Sequence, residues 1–267
     1  MAYAFHKNKS AYFKQQYENA TNYVVPFVIA HVSKKNKPRV LEIGCAEGGV
    51  LKAFIDKGFI GTGIELLESR FKKAHEFLKE DLDEGKAFLI NRNIYDIDPE
   101  KDFTTKFDVI VLKDVIEHIH DQQRLMAKMK DFLNPKGIIF FGFPPWRMPF
   151  GGHQQICSSK VSKLPFIHLL PRAAYKKLLE INKENKNTVE ELLEIKETQI
   201  STRQFESYSR NTNYTIIEKQ LFLINPIYKY KFGLKPRKQL ALIAAIPLLN
   251  NIFSTAVFYI IKAKENT

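Results

Sequence analysis

A glycine-containing turn that follows an acidic residue is the part of this sequence most suited to binding a ligand. Glu42 stands two positions before Gly44, and Gly44 and Gly48 bracket the turn that contains Cys45 and Ala46. The pattern predicts a β-strand, a tight turn and the N-terminus of a helix. At such a corner, backbone N–H groups and the helix dipole favour a nucleotide-like ligand.

A second acidic residue follows the next predicted strand. Residues 59–64 form a short apolar run with glycines, and Glu65 comes directly after it. In βαβ units an acid at about this spacing accepts hydrogen bonds from a ribose, and Glu65 could accept from both hydroxyls. The alternative is an unrelated strand followed by a stray acid. The turn lacks the G-x-G-x-x-G spacing of dinucleotide-binding folds, which argues against an NAD-dependent oxidoreductase.

His118, His120 and His153 are the candidates for a general base. An imidazole titrates near neutral pH, so one within reach of an acceptor hydroxyl could remove its proton. His153 is the first choice, because two glycines precede it and aromatic residues such as Trp146 are expected around it at the mouth of a pocket. A hydrogen-bonded structural role is the alternative for each histidine, and for His120 it is the preferred interpretation.

Alternating strands and helices must position these groups. Apolar runs predict strands at residues 39–43, 59–64, 87–90, 107–113 and 137–143, with an amphipathic helix at 68–82. Successive βα units indicate an α/β fold with a parallel, doubly wound sheet. Ligands approach the carboxyl ends of such strands. Residues 144–153, rich in proline and glycine, leave the fifth strand there and are predicted to form the wall or lid of an acceptor pocket.

The segment from Glu42 to Gly48, with Glu65 downstream, resembles the Glu/Asp-x-Gly-x-Gly-x-Gly motif of class I S-adenosylmethionine-dependent methyltransferases. Ala46 replaces the middle glycine and keeps that position small. The resemblance implies a Rossmann-like, seven-stranded sheet with strand order 3-2-1-4-5-7-6, an antiparallel last strand and a helical insertion between strands 5 and 6. It implies S-adenosylmethionine as cofactor and S-adenosylhomocysteine as product. Its motifs cover residues 39–143, and the remainder follows only by the order of elements.

The same resemblance assigns roles to individual positions. The N–H groups of the turn at residues 44–46 and of the helix N-terminus that follows it would approach the methionine end of the cofactor. Glu65 would bind the ribose, Asn93 and Ile94 would flank the adenine, and the Lys113–Asp114 corner would lie beneath the sulfonium. The predicted cofactor-binding residues are Glu42, Gly44, Cys45, Ala46, Gly48, Glu65, Leu66, Asn93, Ile94 and Lys113. The predicted catalytic residues are His153, His118 and Asp114.

A divalent metal is an alternative that the sequence leaves open. Asp114-x-x-Glu117-His118 resembles the Glu-x-x-Glu-His segment of metal-assisted methyltransferases, such as ubiquinone O-methyltransferases and small-RNA 2′-O-methyltransferases. His153 could complete a set of oxygen and nitrogen ligands. However, the first residue is Asp here, and the acid–histidine pair also occurs in class I enzymes without a metal. No metal ligand is therefore assigned.

Residues 1–267 are predicted to form a single methyltransferase domain. Within it, residues 1–36 would be an N-terminal helical cover, and residues 144–200 a substrate lid or insertion. Tyr12 and Tyr17 are candidates for contact with the cofactor, although aromatic residues at helical spacing are more often core. Helix starts are predicted at Pro171 and at the capping-box sequences 188–191 and 201–204.

Composition limits the environment and the partners. The formal net charge of +12 predicts attraction to phosphates, nucleic acid or an anionic membrane surface. The 2 cysteines suggest no disulfide framework, and the N-terminus has no signal peptide pattern, so a cytoplasmic location is expected. Residues 240–261 are nearly apolar, but polar residues inside the run favour a helix and then a final strand, 256–261, over a membrane span.

The favoured function is methyl transfer to a hydroxyl of a small molecule, and the candidate acceptors are phosphate-bearing compounds and compounds linked to a lipid, quinone or glycan. Residues 113–116 lack the Asn/Asp-Pro-Pro-Tyr/Phe motif of amino-purine methylation. The alternative is a basic protein that binds or modifies nucleic acid or a membrane surface, including an RNA methyltransferase. Its evidence is the basic and aromatic run 228–238, typical of stacking platforms. The sequence specifies neither the acceptor nor the oligomeric state.

Overall fold

The sheet that carries the site contains eight strands in the order β3-β2-β1-β4-β5-β8-β6-β7. The computed structural model describes residues 8–33 and 35–264, so residues 1–7 and 34 of the predicted N-terminal cover lie outside the described part. The strands are β1 (Arg39–Ile43), β2 (Ile60–Ile64), β3 (Ala87–Ile90), β4 (Phe107–Lys113), β5 (Leu133–Phe143), β6 (Tyr214–Ile224), β7 (Arg237–Lys238) and β8 (Ala256–Ala263).

Helices follow most of the strands. They are α1 (Lys9–Asn19), α2 (Val25–Ile29), α3 (Gly49–Ile55), α4 (Glu68–Phe77), α5 (Lys79–Asp83), α6 (Pro99–Asp102), α7 (Gln122–Phe132), α8 (Arg172–Ile181), α9 (Lys186–Glu197), α10 (Thr202–Asn211), α11 (Tyr228–Phe232), α12 (Ala241–Ala245) and α13 (Pro247–Phe253). A π-helical turn, Ala20–Val24, joins α1 to α2. Pro26 lies in the first turn of α2, where its missing N–H breaks no helical hydrogen bond.

The pairing of the strands confirms the predicted doubly wound sheet. β3, β2, β1, β4 and β5 are parallel neighbours. β8 lies between β5 and β6 and is antiparallel to both. The order 3-2-1-4-5-7-6 is therefore correct for the seven strands predicted. The short strand β7 is an eighth strand at the sheet edge beside β6, and no apolar run in the sequence predicts it.

The central strands are buried on both faces. In β4, Ile110 and Leu112 pack into one apolar cluster, whereas Val109 and Val111 pack into another. Successive side chains of a strand point to opposite faces, so the two clusters are the two layers between sheet and helices. This packing fixes the carboxyl ends of β1, β2 and β4, where the candidate site residues follow.

Three of the predicted helix boundaries are wrong. The helix expected at 68–82 is divided at Leu78, which has φ −103° and ψ 14°. Its side chain is fully buried and would lie 2.7 Å from a Cβ at Gly48, so tertiary packing outweighs helical periodicity here. Pro171 is the N-cap of α8 and not a first-turn residue.

The predicted cap at 188–191 is the third error, because Asn185 accepts from the Thr188 N–H at 2.8 Å and starts α9 earlier. Asparagine and serine or threonine are both good N-caps, so the sequence does not show which of Asn185 and Thr188 starts the helix. The second capping box is confirmed. Ser201 and Gln204 satisfy each other's backbone N–H groups at the start of α10.

Residues 144–200 form short helices with a small core of their own. Its buried apolar side chains are Cys157, Val161, Tyr175, Leu179, Val189, Leu192 and Leu193. The Trp146 N–H donates to the Ile200 carbonyl at 2.9 Å and joins the two ends of the segment. The assignment of this segment as a substrate lid, like the single-domain boundary, stays a prediction. Within residues 8–33 and 35–264, no helix combines the length and hydropathy needed to cross a bilayer.

Candidate active site

The turn after β1 is held in a conformation that favours glycine. Gly44, Ala46 and Gly48 have φ values of 70°, 50° and 86°, in the left-handed region. A Cβ at Gly44 would lie 2.7 Å from Val115 Cγ2, so this position also has no room for a side chain. Ala46 adopts the conformation without being glycine, which places local strain at the site.

The N–H groups of the turn are used within the protein. Those of Gly44 and Cys45 donate to the Ile64 carbonyl at 2.8 and 3.0 Å. That of Ala46 donates to Glu65 Oε2 at 2.8 Å. These three N–H groups are therefore held by the protein itself, and the approach of the turn and of the following helix N-terminus to the methionine end of the cofactor stays a prediction.

Glu65 is buried and is held by hydrogen bonds to the protein's own backbone. Its Oε1 accepts from the Leu67 N–H at 2.8 Å, and its backbone carbonyl accepts from Asn91 Nδ2 at 2.7 Å. A carboxylate oxygen has more than one lone pair, so both oxygens can still accept from hydroxyls. Leu66, which follows, is 61% exposed, and an apolar side chain in this position can pack on a flat ring.

A pocket with a cavity volume of about 50 Å³ opens beside the turn, smaller than the usual site for a whole small molecule. It contains part of the predicted cofactor set. Its lining residues are Tyr12, Phe13, Gln16, Glu42, Gly44, Cys45, Ala46, Glu47, Gly49, Val50, Arg70, Lys113 and Asp114. The predicted residues that do not line it are Gly48, Glu65, Leu66, Asn93 and Ile94. Tyr12 is the tyrosine brought to the pocket, whereas Tyr17 donates to Asp56 Oδ2 at 2.8 Å.

Charged groups of both signs line this pocket. Glu42 and Glu47 are buried, and the Oε2 atom of each has no hydrogen-bond partner among the described residues. Burial raises the pKa of Glu42 well above its usual value, although the Lys113 ammonium opposes the shift. Arg70 Nε lies 4.0 Å from Glu47 Oε1. Such a set suits a zwitterion, since carboxylates accept from an ammonium group and a guanidinium binds a carboxylate.

The corner after β4 carries a close ion pair. Lys113 Nζ lies 2.5 Å from Asp114 Oδ2, and Asp114 has a left-handed φ of 56°. Burial disfavours the Asp114 charge, but the Lys113 ammonium outweighs it and lowers the pKa of Asp114 below its usual value. Burial, and then the Asp114 carboxylate, raises the pKa of the Tyr12 phenol. Asp114 is therefore an anion at the boundary between the pocket and the histidines.

His118 and His153 come together, as the sequence interpretation requires. Their ring centroids lie 5.2 Å apart, and ligand atoms of Glu117, His118 and His153 lie within 4.8 Å of one another. His120 is elsewhere, exposed and 3.3 Å from Glu194. The structure thus places two of the three candidate bases, His118 and His153, side by side.

The histidine cluster favours neutral forms. Burial, with the neighbouring His118, lowers the pKa of His153 to about 3. Loss of surrounding water also lowers the pKa of His118, while Asp114 opposes this shift. Burial, and then Asp114, raises the pKa of Glu117 well above its usual value. Neither carboxylate oxygen of Glu117 has a hydrogen-bond partner among the described residues. A carboxyl oxygen and two neutral imidazoles can together hold a proton or a divalent ion.

The surroundings of His153 differ from the expectation. Trp146 is buried against His168, with ring centroids 4.7 Å apart, and the His168 Nε2–H donates to the Trp146 carbonyl at 2.8 Å. Cβ atoms at Gly151 and Gly152 would lie 2.2 Å from Trp146 and His168 atoms, so the two glycines serve close packing. The prediction that Trp146 lies at the mouth of the pocket is therefore wrong.

Sequence reasoning missed Glu47, Arg70 and Lys231. Lys231 belongs to the run interpreted as a possible stacking platform, yet α11 brings it to the site. Burial lowers the pKa of Lys231 to about 8, and the Asp114 carboxylate opposes the shift. Glu47 lies inside the glycine turn and could have been suspected. No local pattern marks Arg70 or Lys231, because only the fold brings α4 to this pocket and α11 towards Asp114.

The solved structures most similar to this fold include an S-adenosylmethionine-dependent methyltransferase from Clostridium acetobutylicum ATCC 824. It is 11% identical, with a TM-score of 0.57, and the match covers 93% of this chain and 92% of that chain. Magnesium protoporphyrin IX methyltransferase from Synechocystis PCC 6803, with bound S-adenosylhomocysteine, matches at 11% identity and a TM-score of 0.55, over 95% and 84% of the two chains. At this identity the likeness shows the fold.

Curated relatives match over less than half of this chain. The ubiquinone biosynthesis O-methyltransferase of Rickettsia bellii (strain OSU 85-389) is 26% identical over 117 residues, which is 44% of this chain and 46% of the relative. That of Coxiella burnetii (strain Dugway 5J108-111) is 27% identical over 115 residues, 43% and 47% of the two proteins. The chain thus spans about half the length of the curated relatives it matches.

The sequence profile described as "Methyltransferase domain" matches residues 15–181, more than half of the chain. That range contains the glycine turn, Glu65, the Asp114 corner and both clustered histidines. The methyl donor of such an enzyme is S-adenosylmethionine, as the resemblance implied. This chain belongs to the methyltransferase domain family and is an S-adenosylmethionine-dependent methyltransferase.

Proposed function

We propose that this methyltransferase acts on a hydroxyl group of a small-molecule acceptor. The observation that carries the proposal is the pair of His118 and His153 beside Asp114, next to the cofactor pocket. A hydroxyl must lose its proton as its oxygen attacks the methyl group, and a neutral imidazole accepts that proton. The names of the curated relatives, ubiquinone biosynthesis O-methyltransferases, point in the same direction at low identity.

His118 is assigned as the proton acceptor and His153 as its positioning residue. Both imidazoles are neutral at pH 7, but a base whose pKa is about 3 drives proton removal weakly. His118 keeps contact with solvent, from which an acceptor could arrive. The Asp114 carboxylate favours the imidazolium that forms on His118 during the reaction. This assignment replaces His153 as the first choice of base.

The polar lining of the pocket suits the methionine end of the cofactor, because unpaired carboxylate atoms there match an ammonium group. S-adenosylmethionine, when bound, supplies the electrophilic methyl group. Glu42 and Glu47 would accept from its ammonium, and Arg70 would pair with its carboxylate. Glu65 would accept from the ribose hydroxyls. Lys113 holds Asp114 in place at the acceptor side.

A bound divalent ion is the competing route to the same reaction. Glu117, His118 and His153 offer ligand atoms within 4.8 Å of one another, and the Glu117 carboxylate is buried without a partner among the described residues. An ion there would acidify an acceptor hydroxyl without a protein base. The base route requires no metal, so activity should survive dialysis against a chelator. Loss on chelation and recovery with Mg²⁺ or Zn²⁺ would assign the cluster to a metal.

The experiment that tests the proposal is a methyl-transfer assay with labelled S-adenosylmethionine and a panel of phenols, alcohols, amines and thiols. The wild type should yield an O-methylated product, identified by mass spectrometry. His118→Ala should lower kcat by roughly 10²- to 10⁴-fold, the usual contribution of a general base. His120→Ala is the matched control and should change nothing. Methylation confined to amines or thiols would show that the acceptor is not a hydroxyl.

Modification of nucleic acid is the less supported function. The aromatic residues of the run 228–238 mostly contact the protein itself. Tyr230 Oη donates to the Glu18 carbonyl at 3.2 Å, and the rings of Tyr228 and Phe232 pack 5.2 Å apart. Stacking on bases needs free ring faces. The basic charge of this region therefore needs another explanation.

A further inference from the structure

A surface near the C-terminus, here called the apolar face (residues 232–253), exposes large hydrophobic side chains. Leu242 and Leu248 are 78% and 56% exposed, on α12 and α13. The full set of exposed large hydrophobic residues on this face is Phe232, Leu234, Leu240, Leu242, Ile246, Leu248 and Phe253. Single exposed leucines are common on protein surfaces, but so many exposed large apolar side chains in one short segment indicate an interaction site.

Polar side chains of the same segment are turned inward. Asn250 and Asn251 are each 3% exposed. Asn251 Oδ1 accepts from the Thr202 N–H at 3.0 Å, and its Nδ2 donates to Thr202 Oγ1 at 2.8 Å. Gln239 Nε2 donates to the Phe253 carbonyl at 2.6 Å. These hydrogen bonds hold the segment against α10 and leave its leucines facing outward, the reverse of an ordinary surface helix.

The face is also strongly basic. Lys229, Lys235, Arg237 and Lys238 are exposed on it or beside it. The sequence has no Asp or Glu between Glu218 and Glu265. A second copy of this chain would bring like charges together, which disfavours self-association through this face. Nucleic acid would explain the basic residues but not the exposed leucines. Apolar side chains flanked by lysine and arginine match the chemistry of an anionic bilayer surface.

We propose that the apolar face docks on the surface of a membrane that contains anionic lipids. The α12 and α13 helices have 5 and 7 residues, whereas a spanning helix needs about 20, so the contact is with the interface. The leucines enter the boundary between headgroups and acyl chains, and the basic residues bind lipid phosphates. Phe232, on this face, is 42% exposed and belongs to α11, a helix of 5 residues.

Docking is tested with the full chain and lipid vesicles, without any methyl transfer, so its outcome is separate from that of the proposed function. Co-sedimentation should be strong with vesicles containing about one third phosphatidylglycerol and weak with pure phosphatidylcholine, and it should fall as salt is raised. Leu242→Ser/Leu248→Ser should weaken binding at least about tenfold, because two leucines that enter the membrane interface are lost. Lys235→Glu/Lys238→Glu should weaken it by about tenfold or more.

Matched controls lie on exposed positions elsewhere. Ile181→Ser, at a side chain 67% exposed on α8, and Lys160→Glu/Lys177→Glu should leave vesicle binding unchanged. Thermal unfolding and cofactor binding of every variant should match the wild type, and the salt dependence of the wild type provides a readout that needs no variant. Absence of binding to anionic vesicles would overturn the proposal, as would equal losses in the control variants. Dimers abolished by Leu242→Ser/Leu248→Ser, without vesicle binding, would assign the face to self-association instead.

Discussion

The backbone N–H of Ala46 donates to Glu65 Oε2 at 2.8 Å and ties the turn after β1 to the end of β2. The other carboxylate oxygen of Glu65 accepts from the Leu67 N–H, also at 2.8 Å. The acid assigned to the ribose is therefore fixed by two backbone groups, so ligand binding does not have to order it. Such preorganisation strengthens binding because less conformational freedom is lost.

Replacing Glu65 should weaken cofactor binding and the fold together. Glu65→Ala removes the acceptor for two ribose hydroxyls, and we expect the Kd for S-adenosylhomocysteine to rise roughly 10- to 100-fold. It also leaves the Ala46 and Leu67 N–H groups without their acceptor, which should lower the free energy of unfolding by roughly 2 kcal/mol. Isothermal titration calorimetry and chemical denaturation measure the two effects separately.

The control for this variant is Glu68→Ala, which removes an exposed carboxylate from the same region. Glu68 pairs with Lys72 at 2.6 Å on the surface of α4. Exposed ion pairs of this kind contribute little, so both the affinity and the stability should remain close to those of the wild type. Unchanged affinity in Glu65→Ala would remove Glu65 from the cofactor site.

Substitutions in the glycine turn should act in opposite directions. Gly44→Ala adds a Cβ that would lie 2.7 Å from Val115 Cγ2, at a φ of 70°, and should destabilise the protein by roughly 1–3 kcal/mol. Ala46→Gly relieves the strain of a left-handed φ of 50°, which stabilises the fold. Glycine also gains freedom in the unfolded chain, which offsets part of this gain, so the variant should be neutral or more stable by up to about 1 kcal/mol. Urea denaturation of both variants provides the comparison. A clearly destabilised Ala46→Gly would mean that the methyl group of Ala46 makes contacts worth more than the strain.

The sequence predicted the sheet well because its strands are apolar runs with strong periodicity. The order of β1 to β6, and the antiparallel position of β8, followed from those runs and from the resemblance. The helix break at Leu78 was not predicted, because it depends on packing against Gly48, which is distant in sequence. The two-residue strand β7 escaped for a similar reason: its pairing with β6 is a tertiary contact with no local pattern.

The rate of methyl transfer should fall in acid as His118 becomes protonated. Loss of surrounding water lowers the pKa of His118 below its ordinary value of 6.5. A base must be neutral, so kcat/KM should be constant near pH 7 and above and should decrease only below pH 6.5. His118→Ala should remove this acid limb as well as most of the rate. If the acid limb of the kcat/KM profile persisted unchanged in His118→Ala, the titrating group would be another residue. The control His120→Ala should reproduce the wild-type profile.

The candidate site was predicted in part. Residues adjacent in the chain to a strand end, such as Glu65 and Asp114, were found because the fold places strand ends at the site. Arg70 and Lys231 were not, because each lies on a helix whose approach to the pocket depends on the packed fold. The assignment of His153 as first choice of base also changed, because burial lowers its pKa to about 3, and no sequence pattern shows the burial of a loop histidine.

Folding stability should decrease in mild acid because His168 is buried in its neutral form. Burial lowers the pKa of His168 to about 4, below its unfolded value of 6.5. Between these two pKa values the unfolded chain binds a proton on His168 and the folded chain does not. The stabilisation is therefore complete above pH 6.5 and is lost as the pH falls towards the folded pKa. For one such histidine the loss between about pH 7.5 and about pH 5 is about 2 kcal/mol.

His168→Gln isolates this contribution. Glutamine keeps an N–H donor for the Trp146 carbonyl but cannot take up a proton, so the variant should lose about 2 kcal/mol less than the wild type over the same pH interval. The slope is the readout, because the substitution also changes packing and thus the stability at every pH. Other titrating groups, including His153 and Glu42, are present in both proteins and cancel in the difference. Equal slopes in urea denaturation would show that His168 is protonated in the fold, and His120→Gln, at an exposed position, should match the wild type.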